Sequence, residues 1–263
     1  MAMKALVVDN DFFFVEFLTE LLENKGYDVI KAYDGKEGIS KLEEGTFDIL
    51  FADLIMPKID GLQLIKFARR KFPAGQLAII AVSDTLIEQM DDIKNIGANY
   101  CVVKGPLEKM TEYIGGLLDN LEDYGTIESG RGELVEPEKL YPRQATTELV
   151  AEMKFQKAVF DSIGIGVLVV DRDARVMSAN AMALQLLKKP LEDVLNLRIT
   201  AAFPQEGRGR LVNVLKEVAK NLDLRRRSFR LKFGSVELRL VASILRMGND
   251  LDGWVLTMED INL

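Results

Sequence analysis

The sequence predicts an α/β unit with a five-stranded, doubly wound parallel sheet over residues 1–121, and an α+β unit with an antiparallel sheet over residues 163–263. Three observations carry that prediction. Short apolar runs alternate with longer amphipathic segments in the first unit, as in a parallel sheet covered by helices on both faces. A stretch rich in glycine and proline then breaks the pattern. Beyond it, strands alternate apolar and polar residues, as in a sheet with one face in solvent.

The apolar runs are Ala5–Val8, Asp28–Ala32, Asp48–Ala52, Leu77–Val82 and Tyr100–Val103. A helix from Phe12 to Lys25 follows the first and stops at Gly26, a residue suited to the position just past a helix end. The second helix opens on Asp34-Gly35-Lys36-Glu37, spaced as a capping box, and ends near Gly45. A third follows Gly61. The fourth opens at Thr85-Leu86-Ile87-Glu88, and the fifth follows Pro106 and reaches Leu121.

Residues 122–145 read as a linker, with Gly125, Gly130, Gly132, Pro137 and Pro142 among charged and polar residues. A linker helix is predicted over 146–162. Its Leu149, Met153, Gln156, Phe160 and Ile163 fall at alternating spacings of four and three, a short heptad stripe. That stripe suits either a dimer contact or packing against the second unit's sheet.

The second unit opens with a hairpin of Gly166–Asp171 and Ala174–Met177. Asn180 can cap a short helix, Ala181–Leu187, and a longer helix covers Gly209–Asn221. Strands over Ser228–Phe233, Ser235–Met247 and Gly253–Met258 complete the sheet.

Composition excludes several functions. There is no histidine and one cysteine, Cys101. The chain has no catalytic or phospho-accepting histidine, no histidine-ligated zinc or haem, and no disulfide within itself. The net charge of -7 argues against nucleic acid and anionic membrane surfaces as partners. Arg225-Arg226-Arg227, Arg230 and Lys232 read as the solvated face of a strand. No apolar run is long enough to span a bilayer. Met1-Ala2-Met3-Lys4 leads straight into a strand, so a signal peptide is not expected and a cytoplasmic location is.

Ligands of doubly wound sheets sit beyond the carboxyl ends of the strands. Here those ends deliver Asp9-Asn10-Asp11, Asp53, Ser83-Asp84 and Lys104. Clustered oxygens beside a lysine and a hydroxyl suit a hard cation and a phosphoryl group. A carboxylate can serve as nucleophile in phosphoryl transfer.

Residues 3–121 resemble the flavodoxin-like receiver domains of two-component response regulators. Val7-Val8-Asp9, Asp53 with Met56-Pro57-Lys58-Ile59-Asp60-Gly61, Gly97-Ala98 and Val102-Val103-Lys104 carry the resemblance. It implies that Asp53 accepts a phosphoryl group from the phosphohistidine of a partner histidine kinase. It implies a magnesium pocket of Asp9, Asn10, Asp53 and the Ile55 carbonyl. Lys104 would contact the phosphate, and Ser83 would be the hydroxyl that reorients. Four positions depart from the family pattern. Asn10 replaces a second acid, Asp84 a tiny residue and Cys101 the switch aromatic, with Tyr100 one step away. Lys104-Gly105-Pro106 replaces the usual Lys-Pro, altering the setting of its cis bond and the lysine's approach.

Residues 155–263 resemble a PAS domain. The carriers are Phe160-Asp161-Ser162-Ile163, Gly166–Asp171, Ala179-Asn180-Ala181, Gly253-Trp254-Val255-Leu256 and Asp260-Ile261. PAS domains bind haem, flavin or metabolites, but this segment has neither histidine nor cysteine, which excludes histidine-ligated haem and a flavin–cysteine adduct. Phe155, Phe160, Phe203, Met177 and Met182 are candidate cavity residues, though apolar residues at these spacings are more often core. A ligand-free module for dimerisation or interaction is the expectation.

Three functional readings follow. The first is a phosphorelay response regulator, not itself an enzyme, that passes a change from Asp53 to the PAS module as a homodimer through linker helix and PAS. The second is the front end of a larger sensor histidine kinase or nucleotide cyclase. The third is a pseudo-receiver acting only in protein interaction.

Overall fold

The protein is described from a computed structural model, covering residues 2–73, 75–83, 97–124, 133–135, 152, 155–220, 226–234, 236–247 and 250–261. It divides into two units, Met1–Ala151 and Glu152–Leu263. The predicted fourth helix, with Asp84, lies outside the described residues, as do Leu149, Met153, Arg225 and Asn262.

The first unit runs β1 (Lys4–Val8), α1 (Phe12–Asn24), β2 (Asp28–Ala32), α2 (Gly35–Glu44), β3 (Ile49–Asp53), α3 (Gly61–Lys71), β4 (Ala78–Ser83), β5 (Tyr100–Val103), α4 (Leu107–Tyr124) and β6 (Glu133–Val135). The sheet order is β2-β1-β3-β4-β5-β6, parallel throughout. Its first five strands are those the sequence predicts. A sixth lies within residues 122–145. Glu133–Val135 pairs with Tyr100–Val102 inside the stretch assigned to the linker. Three residues between glycines and a proline are too short to show a strand period.

Strand alternation sorts the core. Ala5, Val7, Ile49, Phe51, Ile80 and Val102 pack with Phe14, Leu18 and Leu22 of α1 and Met110, Ile114 and Leu118 of α4. On the other face, a side chain added at Gly38 of α2 would meet Val8 at 2.9 Å and Leu64 of α3 at 3.3 Å, so only a glycine lets these helices approach so closely.

Helix starts are fixed by side chains. Asp11 accepts from the N–H groups of Phe13 and Phe14 at 2.9 and 3.3 Å. Asp60 and Gln63 form a reciprocal capping box at α3, with bonds of 2.8 and 3.0 Å. At the sheet's amino end, Arg69 of α3 donates to Gly97 O at 2.5 Å, to Leu77 O at 2.6 Å and to Asn99 Oδ1. Asn99 Oδ1 also accepts from Ile79 N at 2.8 Å. Burial pulls the Arg69 guanidinium down to about 10.

In the second unit, residues 155–162 form a helix, α5. It is followed by β7 (Gly166–Asp171), β8 (Val176–Ala179), α6 (Ala181–Leu187), a 3-10 turn (Leu191–Asp193), α7 (Ile199–Ala202), α8 (Gln205–Lys220), β9 (Arg226–Phe233), β10 (Val236–Met247) and β11 (Asp250–Asp260). The antiparallel sheet has the order β8-β7-β11-β10-β9. β8 begins two residues later than predicted, because Asp171 Oδ1 holds a turn through Asp173 N and Arg175 N at 2.9 and 2.8 Å. α8 begins one turn earlier than predicted, at Gln205.

The inner face is filled by side chains. Phe203 meets Phe233 edge to face, and Trp254 Nε1 donates to Leu215 O at 3.2 Å, joining β11 to α8. Of the candidate cavity residues, Met177 and Phe203 are core, whereas Phe155 is 65% exposed. Along α5 and just past its end the exposed apolar row is Phe155, Val159 and Ile163, spaced by four. Gln156 is exposed and Phe160 half-buried, so the described part of the predicted stripe is not one apolar face.

Candidate functional site

Because the strands of the first sheet are parallel, their carboxyl ends converge at one edge. Asp9 follows β1, Asp53 ends β3, Ser83 ends β4 and Lys104 follows β5. The order reverses between β2-β1 and β3, which opens a crevice there. Asp9, Asp53 and Ser83 are 1%, 3% and 2% exposed, buried far beyond what their polarity favours.

Lys104 accounts for that burial. Its Nζ lies 2.8 Å from Asp9 Oδ2 and 3.6 Å from Asp53 Oδ1. The main chain fixes its approach, since Lys104 N donates to Ser83 O at 2.8 Å. Asp9 Oδ1 accepts from Asp11 N at 2.9 Å, and Asp53 Oδ1 from Ile55 N at 3.3 Å. Burial holds the Asp9 carboxyl above its ordinary range, against the opposing pull of Lys104. No cis peptide occurs among the described residues, so Gly105-Pro106 is joined by a trans bond.

Asn10 faces Ile55 O and Asp53 Oδ2. Both are acceptors, and with its amide nitrogen turned toward them Asn10 would donate at 3.1 and 3.2 Å. The loop after Asp53 folds back closely. A Cβ on Gly61 would stand 2.0 Å from Asp53 O. Only glycine lets α3 begin against the backbone of the acidic strand end.

The matches to known families follow this division. Residues 5–114 match the response regulator receiver domain and residues 160–262 match the PAS fold. The chain carries a receiver domain followed by a PAS domain. It is 25% identical to the response regulator ArlR of Staphylococcus saprophyticus over 185 residues, which are 70% of this chain and 67% of that protein. It is 41% identical over 90 residues to the alkaline phosphatase synthesis transcriptional regulatory protein PhoP of Bacillus subtilis, covering 34% of this chain and 36% of the relative. The chain therefore spans little more than a third of PhoP. A receiver domain protein from Methanospirillum hungatei is 26% identical, with a TM-score of 0.42, covering 48% of this chain and 100% of that structure.

Receiver domains generally bind magnesium at this position, and the donor chemistry here fits. Asp9 and Asp53 are carboxylates, and Ile55 offers a carbonyl. Magnesium takes one or two carboxylates and completes its shell with water and phosphate oxygens. Among the described residues, no three acidic, cysteine or histidine side chains cluster to hold a metal. Asp9, Asp53 and Ile55 O are the groups that would hold such an ion. Asn10 lies against the same groups, and a half-turn of its amide decides whether it offers them an N–H group or offers an ion its oxygen.

At the switch positions, the receiver's Cys101 is buried and its thiol is pushed up to about 12 by burial. Tyr100 packs toward α1 and α4, on the opposite strand face.

Two roles escaped the sequence reading. The ring of Phe14 lies 4.8 Å from Lys104 Nζ. Its only sequence signal is an apolar side chain one turn into the helix that follows Asp9. In the PAS domain, Asn180 does more than cap α6. Its Oδ1 accepts from Ala183 N and Val167 N at 2.9 and 2.8 Å, and its Nδ2 donates to Ile165 O and Phe160 O at 2.9 and 3.1 Å. Fully buried, it ties α5, β7 and α6 together.

Proposed function

We propose that this protein is a phosphorelay response regulator in which Asp53 takes a phosphoryl group from the phosphohistidine of a separate kinase. The observation that carries this reading is the Lys104 ammonium set between the Asp9 and Asp53 carboxylates at 2.8 and 3.6 Å. An Asp53 oxygen attacks phosphorus as the bond to the donor nitrogen breaks. Lys104 offsets charge on the equatorial oxygens. Asp9, Asp53 and Ile55 O would hold magnesium, which supplies further charge neutralisation. Ser83, at the end of the adjacent strand, would meet a phosphoryl oxygen, and its carbonyl accepts from Lys104 N. The PAS domain takes up the resulting change.

Incubation with magnesium and acetyl phosphate tests this. Wild type should gain one phosphoryl group by intact mass and Asp53→Ala none. Absence of label in wild type would overturn the reading.

A second reading, a receiver used only for protein interaction, is favoured by Asn10, whose amide, turned nitrogen first, would compete with a cation for Ile55 O and Asp53 Oδ2. On that reading magnesium at millimolar concentration leaves the amide spectrum of the receiver unchanged.

We also infer a cytoplasmic homodimer formed through α5 and the PAS domain. Phe155, Val159 and Ile163 support it, being 65%, 49% and 37% exposed and four residues apart. Light scattering should report a dimer in wild type and a monomer in Val159→Glu. No helix among the described residues is long and apolar enough to cross a membrane.

A further inference from the structure

We propose that Phe14 is a positioning residue for Lys104, its ring face setting where the ammonium stands in the pocket. The inference rests on the reading of Asp53 as phosphoryl acceptor. It begins from the 4.8 Å between Lys104 Nζ and the Phe14 ring centroid. That distance is within the range where the negative face of an aromatic ring attracts a cation, and the attraction strengthens where water is scarce. Water is scarce here, because the Lys104 side chain is 10% exposed and Phe14 is 6% exposed.

The ring is held on two sides. Phe14 N donates to the Asp11 cap at 3.3 Å, which places the residue in the first turn of α1. Its ring packs in the core shared by β1, β3, β4, α1 and α4, with Phe17 at 5.8 Å between centroids. The lysine is flexible by comparison, with four carbons between its backbone and its charge.

The carboxylates alone do not fix that charge where catalysis needs it. Lys104 stands nearer Asp9, at 2.8 Å, than Asp53, at 3.6 Å. A cation held by Asp9 would take away the closer of these partners. The Phe14 ring is neutral and is no metal ligand, so its attraction for the ammonium persists when Asp9 is engaged. It then keeps Lys104 beside Asp53, rather than extended into solvent, when a phosphoryl group arrives.

The test has two arms on the full chain. In the first, lysine carries 13C and the Lys104 ε resonances are assigned by their loss in Lys104→Arg. Wild type should show them shifted upfield by the ring, and Phe14→Leu should return them to the position of exposed lysines. In the second, phenylalanines with one, two or three ring fluorines replace Phe14 alone, which drains the ring face of negative charge while nearly preserving its shape. Magnesium-dependent labelling by acetyl phosphate should slow with each fluorine. It should fall by about three- to thirty-fold in Phe14→Leu and recover in Phe14→Tyr, the range expected of a cation–ring contact between exposed and desolvated settings. Labelling at the wild-type rate throughout the fluorine series, or ε resonances without a ring shift, would overturn the proposal. A wild-type protein that takes no label would instead overturn the reading of Asp53, and the lysine spectra would still decide the role of Phe14.

Discussion

Lys104 stands closer to Asp9 than to Asp53, by 2.8 against 3.6 Å. The residue that resembles the phosphate-contacting lysine is therefore a counter-ion to the pocket's two buried acids. Its charge offsets the cost of holding carboxylates out of water, and a magnesium ion would relieve it of part of that duty.

Removing the lysine should expose this cost. Lys104→Met leaves Asp9 and Asp53 buried without their cation and should destabilise the receiver by about 3 kcal/mol in metal-free urea titrations at neutral pH. Millimolar magnesium should restore part of the loss. An unchanged midpoint on adding magnesium would show that these carboxylates do not bind the ion.

Asp9 gives a pH dependence of definite sign. Burial raises its carboxyl above the ordinary value of 3.8, so the folded state holds the proton more tightly than the unfolded chain. Its ionised form therefore lowers stability at neutral pH. That penalty is relieved as pH falls through the raised value toward the ordinary one. Asp9→Asn should melt higher than wild type at pH 7, and the gap should close on acidification. A gap that is constant with pH would contradict the assignment. The same variant should lose the stabilisation given by magnesium.

Gly61 should tolerate no side chain. The added Cβ of Gly61→Ala would lie 2.0 Å from Asp53 O and 2.7 Å from Leu54 Cα, both backbone atoms. A loss of about 3 kcal/mol is expected, together with slower labelling of Asp53. Gly75→Ala is the control. Nothing lies within 4 Å of the added atom, and stability should change by less than about 0.5 kcal/mol.

In the PAS domain, Asn180→Ala should cost about 3 kcal/mol, because two buried N–H groups lose their acceptor and two carbonyls their donor. Hydrogen exchange should quicken in residues 155–167 before it does in β10 and β11. Equal protection across the domain would show that Asn180 does not hold α5.

Most of this architecture is legible in the sequence because its signals are local. Unbroken apolar runs gave five strands of the parallel sheet, and glycines and acids marked the helix ends. Asp9, Asp53, Ser83 and Lys104 could be brought together before any coordinates, since parallel strands put their carboxyl ends on one edge. What stayed hidden depends on contacts across the chain. Phe14 reads as one core phenylalanine among Phe12, Phe13 and Phe17 until Lys104 is found against its ring. Asn180 reads as a cap, because its bonds to Phe160 O and Ile165 O come from residues distant in sequence. The surroundings of the Asn10 amide, Asp53 Oδ2 at the end of β3 and Ile55 O in the loop after it, come from a distant strand. β6 shows no period of its own and exists through its pairing with β5.

The short strand Glu133–Val135 has a consequence for how this sheet meets other proteins. Without it, β5 would end the sheet with a row of backbone amides and carbonyls able to template a foreign strand. With it, Tyr100 to Val102 are already matched, and the new border is only three residues long. The receiver thus guards its own flank against accidental polymerisation, and any partner seeking that flank must first evict a piece of the same chain.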